Sequence, residues 1–203
     1  MATPHPKHAT ADHLVLDVIR ERWSPRAYDS SKTIPHVELW RLFEAARWTP
    51  SSRNEQPWRF VVVDKIGHPA AYAAIVATMT PGNQAWAPLA PVLIAVAAKL
   101  TVGESADVNR HALYDTGQAV AYLTIQAQSQ GLAARQMEGF DRVAAAQVCE
   151  VPSDYDLAAV IALGYLGPPD VLPNEKHRQL EVTPRVRRAA ADFVFAGTWA
   201  TRL

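Results

Sequence analysis

Three short segments carry polar residues at a density that a plain core does not need. Arg22-Trp23-Ser24-Pro25-Arg26 sets two guanidiniums around a hydroxyl, with Pro25 breaking the chain between them. A guanidinium is a planar fork that matches phosphate oxygens bidentately, so this segment reads as an oxyanion binder. Arginines that satisfy free carbonyls at a helix end would look the same. In Thr49-Pro-Ser-Ser-Arg-Asn-Glu-Gln-Pro-Trp58, Pro50 and Pro57 stiffen a loop that offers Ser51, Ser52, Asn54 and Gln56. Those groups suit hydrogen bonding to the edge of a flat heteroaromatic ring, and an ordinary Asn/Ser turn is the alternative. In Arg135-Gln-Met-Glu-Gly-Phe-Asp141, Gly139 would let backbone approach a ligand closely. The same run could simply be a tight strand-to-helix connection with Asp141 as the N-cap.

Other chemistries lack their residues. The chain has no GxGxxG, no GxxxxGK[ST] and no GxSxG, which removes the dinucleotide fingerprint, the phosphate cradle of nucleotide hydrolases and the hydrolase elbow. Seven histidines are scattered without HxxxH or HExxH spacing, and the single Cys149 allows neither a CxxC pair nor a thiolate metal site. Cys149, between Val148 and Val151, reads as a small core residue. A protein without its own nucleophile, metal or triad can borrow its chemistry from a cofactor. The formal net charge of zero gives no reason to expect nucleic acid or an anionic membrane as partner. Arginines outnumber lysines fifteen to five, so only the position of particular arginines can be informative.

Elements must hold these segments in place, and 203 residues at 49% hydrophobic suit a single domain with a full core. Residues 1–11 read as a polar, flexible tail, and 12–203 as one domain. Asp12 can cap a helix through Trp23, with Leu14, Val15, Val18 and Ile19 on one face. A second helix runs from Pro35 to Trp48, burying Leu39, Leu42, Phe43 and Ala46. Trp58–Val63 reads as a strand, Pro69–Met79 as a helix, Pro91–Ala98 as a buried strand. Val108–Gly131 is the clearest helix. Its apolar residues are not confined to one stripe, which suggests a central helix shared with a partner subunit. A helix over Arg142–Cys149 and a strand over Leu157–Leu163 follow, and the order fits an α+β domain. The C-terminal stretch, with Pro173, Pro184, a basic cluster and Phe193-Val-Phe195, needs something to pack against, and wrapping a partner is one solution. No apolar h-region opens the chain, and its longest apolar stretch, Ala87 to Ala98, is interrupted by two prolines, so a cytoplasmic protein is expected.

The segments also share an order. Arg22-x-Ser-x-Arg26, Pro50-Ser-Ser-x-Asn54-x-Gln-Pro-Trp58, Tyr114-Asp-x-Gly-Gln118, Glu138-Gly-Phe140 and Arg185-x-Arg187 after Pro184 together resemble the nitroreductase family, over about residues 14 to 199. Each motif is short; five in sequence are far more specific than any one. The resemblance implies a three-layer α-β-α sandwich with a central, mainly antiparallel sheet, in an intertwined homodimer with a C-terminal extension. It implies non-covalent FMN at the dimer interface. Arg22, Ser24, Arg185 and Arg187 would take the phosphate, whose charge is close to two negative units, with Trp23 beside them. Arg26 would lie nearer the ring's O2/N1 edge or the ribityl chain. Pro50, Ser51, Ser52 and Asn54 would come from the second subunit. Glu138 and Gly139 would face the N5/O4 side, chiefly through backbone N–H groups, and Gln136 and Met137 belong to the same cofactor-binding set. Asn83 would reach the pyrimidine edge, and Gln118 belongs to the same set. Several family members carry a lysine shortly after the position of Asn83, near N1/O2, where this chain has Trp86.

The implied activity is ping-pong hydride transfer from NADH or NADPH through FMN to a small-molecule acceptor such as a nitroaromatic, quinone, enone or free flavin. No protein acid or metal is required. A relative that consumes reduced flavin or removes halogen, a non-catalytic flavin-binding or redox-sensing dimer, and an α+β interaction domain remain as alternatives.

Overall fold

The computed structural model describes residues 5–203. Alternation of apolar side chains along four strands gives the sheet two buried faces. The strands are β1 (Trp58–Asp64), β2 (Val92–Lys99), β3 (Leu132–Met137) and β4 (Tyr155–Tyr165), ordered β1-β2-β4-β3 and antiparallel throughout. Successive side chains of a strand point to opposite faces. Leu93, Ala95 and Ala97 of β2 therefore join Val160 and Ala162 of β4 in one core, and Val92, Ile94 and Val96 join Ile161 and Leu163 in the other.

Helices close both faces. Tyr72 and Ile75 of α3 (Pro69–Thr78) and Ala145 of α6 (Arg142–Val148) cover the first core. Leu39, Leu42 and Ala46 of α2 (His36–Arg47) and Ala119, Val120, Leu123 and Ala127 of α5 (Ala112–Ser129) cover the second. The result is a three-layer α-β-α sandwich around an antiparallel sheet, as expected. Cys149 is half-buried against the first core, and burial pushes its thiol pKa up. Asp141 caps α6, accepting from the amides of Val143 and Ala144, each at 3.0 Å.

Several boundaries differ from the sequence expectation. Helix α1 spans only Asp17–Glu21, and Asp12 does not cap it. Leu14, Leu16 and Ile19 are exposed, so a longer helix would have no packing within this chain to offset its nucleation cost. Helix α5 starts at Ala112 rather than Val108 and stops before Gly131, whose φ of +73° ends the helix in a left-handed turn. Strand β3 was absent from the expected element order and implied only by the alternative reading of residues 135–141: Leu-Ala-Ala-Arg-Gln-Met has no β-branched residue, and its extended form is set by pairing with β4. Also absent was α7 (Glu175–Val182), which Asn174 caps by accepting from the amide of His177 at 3.3 Å. The short α4 (Pro81–Gln84) completes the set.

Candidate cofactor site

The chain leaving α1 is latched to the segment following α7. Arg185 donates from Nη1 to the carbonyl of Arg22 (2.6 Å) and from Nη2 to that of Arg20 (2.7 Å). This places the guanidiniums of Arg22, Arg185 and Arg187 within each other's field. Burial and then the charge of Arg187 lower the pKa of Arg22; burial, Arg22 and Arg187 lower that of Arg185. Arg22 Nη1 also donates to Ser24 Oγ at 3.3 Å. Among the described residues none of the three forms a salt bridge. Arg185 Nε is buried without a hydrogen-bond partner. Three neighbouring cations without a carboxylate are favourable only if an anion joins them, and a phosphate carrying nearly two charges fits that requirement.

Arg26 is held differently. Its Nη1 lies 3.7 Å from Glu181, a carboxylate on α7 that is only 2% exposed. The same carboxylate accepts from the backbone amides of Arg26 (3.1 Å) and Ala27 (3.3 Å). Glu181 thus fixes the backbone of the arginine segment and neutralises much of the Arg26 charge. No motif marked it. The segment then enters the first core through Ala27 and Tyr28, whose hydroxyl donates to the carbonyl of Ala162 at 3.1 Å. Trp23 is buried under the N-terminal residues, with His5 stacked on it and Lys7 Nζ 5.6 Å from its ring.

The turn after β3 forms a second wall. Asn83 Nδ2 donates to the carbonyl of Gly139 at 3.1 Å, and the amide of Thr80 donates to the same oxygen at 2.9 Å. A Cβ on Gly139 would stand 2.8 Å from Asn83 Nδ2 and 2.9 Å from Thr80 Oγ1, so this approach requires glycine. Asn83, Glu138 and Gly139 are therefore brought together. Met137 is in the core, and Gln136 points to the other face, donating to Thr124 Oγ1 of α5 at 3.3 Å. There Gln136 lines a groove of about 250 Å3 with Leu113, Thr116 and Gly117. Trp86 is also a core residue, 1% exposed, rather than part of a ring-facing edge. Its indole packs beside Tyr28 and carries the guanidinium of Arg135 at 5.1 Å.

The loop with Pro50, Ser51, Ser52 and Asn54 is strained and tethered. Arg53, Asn54 and Gln56 all have positive φ (53°, 58° and 46°) without being glycine. Asp115 of α5, 2% exposed, holds the loop by accepting from the Ser52 amide at 2.9 Å, and Ser51 Oγ accepts from the Gln56 amide at 3.0 Å. Gln118 reaches Asp115 at 3.5 Å. Within the Tyr114-Asp-x-Gly-Gln118 motif, Asp115 is the side chain that tethers the loop. Among the described residues no hydrogen bond or salt bridge joins this loop to the arginine segment.

A wide apolar groove of about 390 Å3 lies elsewhere, between α2 and the outer edge of β1, lined by Leu39, Trp40, Phe43, Trp58, Phe60 and Val62. None of the arginines named above reaches it.

Comparison with known proteins converges on one family. Residues 19–165 match the profile of the nitroreductase family, a span that ends before Arg185 and Arg187. An uncharacterized 15.4 kDa protein of Mycolicibacterium smegmatis is 35% identical over 150 residues, covering 71% of this chain and 99% of that protein. The major NAD(P)H-flavin oxidoreductase of Aliivibrio fischeri is 36% identical over 52 residues, 26% of this chain and 24% of that enzyme. The crystal structure of an oxidoreductase containing FMN superimposes with a TM-score of 0.89 over 100% of both chains at 29% identity. With its sandwich, its ordered motifs and this profile match, the chain belongs to the nitroreductase family.

Proposed function

We propose that this protein is an FMN-dependent oxidoreductase that works as a homodimer and takes electrons from NADH or NADPH. The observation that carries the reading is the trio Arg22, Arg185 and Arg187, three adjacent guanidiniums that no carboxylate among the described residues neutralises. Arg22, Ser24, Arg185 and Arg187 bind the phosphate. Asn83, Glu138 and Gly139 orient the ring from the turn after β3. Pro50, Ser51, Ser52 and Asn54 belong to the site of the second copy, consistent with a loop anchored on α5 and unconnected to the arginines of its own chain.

When bound, FMN supplies the hydride-accepting and hydride-donating centre. The residues of the chain hold it, keep its phosphate neutralised and leave one face open for nicotinamide and then for an acceptor in turn. Holding donor and acceptor at near-attack distance is worth several kcal/mol of barrier without any protein acid, about 7–11 kcal/mol in well-oriented reactions. Nitroaromatics, quinones and enones are the proposed acceptor class, and the cytoplasm the proposed compartment. Residues 12–203 act as one FMN-binding domain, with 1–11 as an accessory tail. No helix among the described residues is long and apolar enough to cross a membrane.

A second copy is favoured by what the single chain leaves uncovered. Leu113, Tyr114 and Tyr122 of α5 are exposed, the outer edge of β1 is unpaired beside the apolar groove, and Phe193 and Trp199 of the C-terminal arm are exposed too.

The test is FMN uptake by purified protein, read from its visible absorption. The unmodified chain should hold FMN, and Arg22→Ala and Arg187→Ala should each weaken it by roughly tenfold or more, the worth of one charge-assisted hydrogen bond. Full retention in both variants would overturn the phosphate assignment.

A further inference from the structure

Arg135 stands where the two walls of the candidate site meet. Its Nη1 donates to the carbonyl of Ser24 at 2.6 Å, within the arginine segment. Its guanidinium carbon lies 5.1 Å from the centroid of the Trp86 ring. Trp86 in turn donates its amide to the carbonyl of Asn83, and Asn83 donates to the carbonyl of Gly139, each at 3.1 Å. One side chain therefore links the segment proposed to take the phosphate to the turn proposed to orient the ring.

Its charge is also unspent. Arg135 Nε is buried without a hydrogen-bond partner, and Arg135 takes part in no salt bridge among the described residues. Glu181 is the carboxylate whose field reaches it, but that carboxylate is already engaged by the Arg26 guanidinium and by two backbone amides. The charge of Lys7 adds to the positive side of the same cluster. The direct contacts of this half-buried guanidinium are a neutral carbonyl and an indole face, and it shares the field of Glu181 with Arg26 and Lys7, so a further negative charge beside it would be favourable. Trp86 holds it there by cation–π attraction and by filling the core beneath it.

We propose that Arg135, seated on the Trp86 indole, sets the charge preference of the bound flavin in this chain, favouring the reduced anionic ring over the oxidised neutral one. The proposal rests on the FMN reading above. A hydride moves two electrons and one proton from the reduced nicotinamide to the neutral ring; the nicotinamide leaves as its cation, and the ring keeps one negative charge. A fixed cation stabilises that product more than the neutral starting ring, which raises the reduction potential. The lysine that several family members carry shortly after the position of Asn83 would then have its counterpart here in an arginine from β3, with Trp86 as its support.

Dye-equilibration titration of FMN-loaded wild type, Arg135→Gln and Arg135→Lys decides it, with the affinity for oxidised FMN measured by fluorescence alongside. Arg135→Gln should hold oxidised FMN within about threefold of wild type yet lose at least about tenfold in preference for the reduced form, a potential lower by about 30 mV for a two-electron couple. Arg135→Lys, which keeps the charge, should fall closer to wild type. An unchanged potential in Arg135→Gln with FMN bound would overturn the assignment of Arg135 alone, leaving the FMN reading intact. Should that variant not fold, Arg135→Met, which keeps the apolar stem against Trp86 and removes the charge, takes its place with the same expected fall in potential, and an unchanged potential would again overturn the proposal. A wild type that takes up no FMN would sink both readings together.

Discussion

At the scale of single residues, the structure divides the charged groups of the site by what already neutralises them. Arg26 is paired with Glu181, whereas Arg22, Arg185 and Arg187 are not. The arginine motif was legible in the sequence; the pairing was not, because Glu181 lies 155 residues away on a helix that residue types did not advertise. Asp115 was likewise visible as part of a motif but not as the acceptor that holds a strained loop. Asp115→Ala should release the Ser52 amide and cost about 1–3 kcal/mol, the range for orphaning a buried hydrogen-bonding group. Thermal unfolding would show the loss, and hydrogen exchange should rise first at residues 51–56; unchanged protection there would remove Asp115 from this role.

Among elements, legibility followed hydrophobic periodicity. The stripe on α2 and the apolar run of β2 gave their layers away, and Leu39, Leu42 and Ala46 are buried as expected. β3 escaped because all six of its residues are good helix formers, and only the register with β4 holds them extended. That strand carries Arg135 on one face and Gln136 on the other, so missing it also hid which of the two belongs with the arginine segment. The helix α5 is the mechanical link between the second core and the Asp115 tether. Leu123→Ala, at a position with 0% exposure, should destabilise the fold by about 2–5 kcal/mol in chemical denaturation. A loss below about 1 kcal/mol would mean that this core repacks freely around the deleted methyls.

For the whole molecule, the central issue is that the arginine cluster and the loop of residues 51–54, both proposed as parts of the site, are joined by no hydrogen bond or salt bridge among the described residues. The exposed face of α5, the open edge of β1 and the aromatic C-terminal arm all suit a second copy. Tyr122→Arg leaves the single chain's core untouched, since this side chain is 44% exposed, but puts a charge on the face proposed for the partner. It should shift sedimentation from dimer toward monomer and reduce FMN retention together; a monomeric variant with full FMN would place the site within one chain. The most direct measurement is anaerobic titration of the FMN-loaded protein with NADH and with NADPH, followed by visible absorption. Stoichiometric bleaching of the flavin by at least one of them, with colour restored by a quinone or nitroaromatic, is the predicted result. A yellow protein that neither nucleotide bleaches would contradict the oxidoreductase account and leave a flavin-binding dimer in its place.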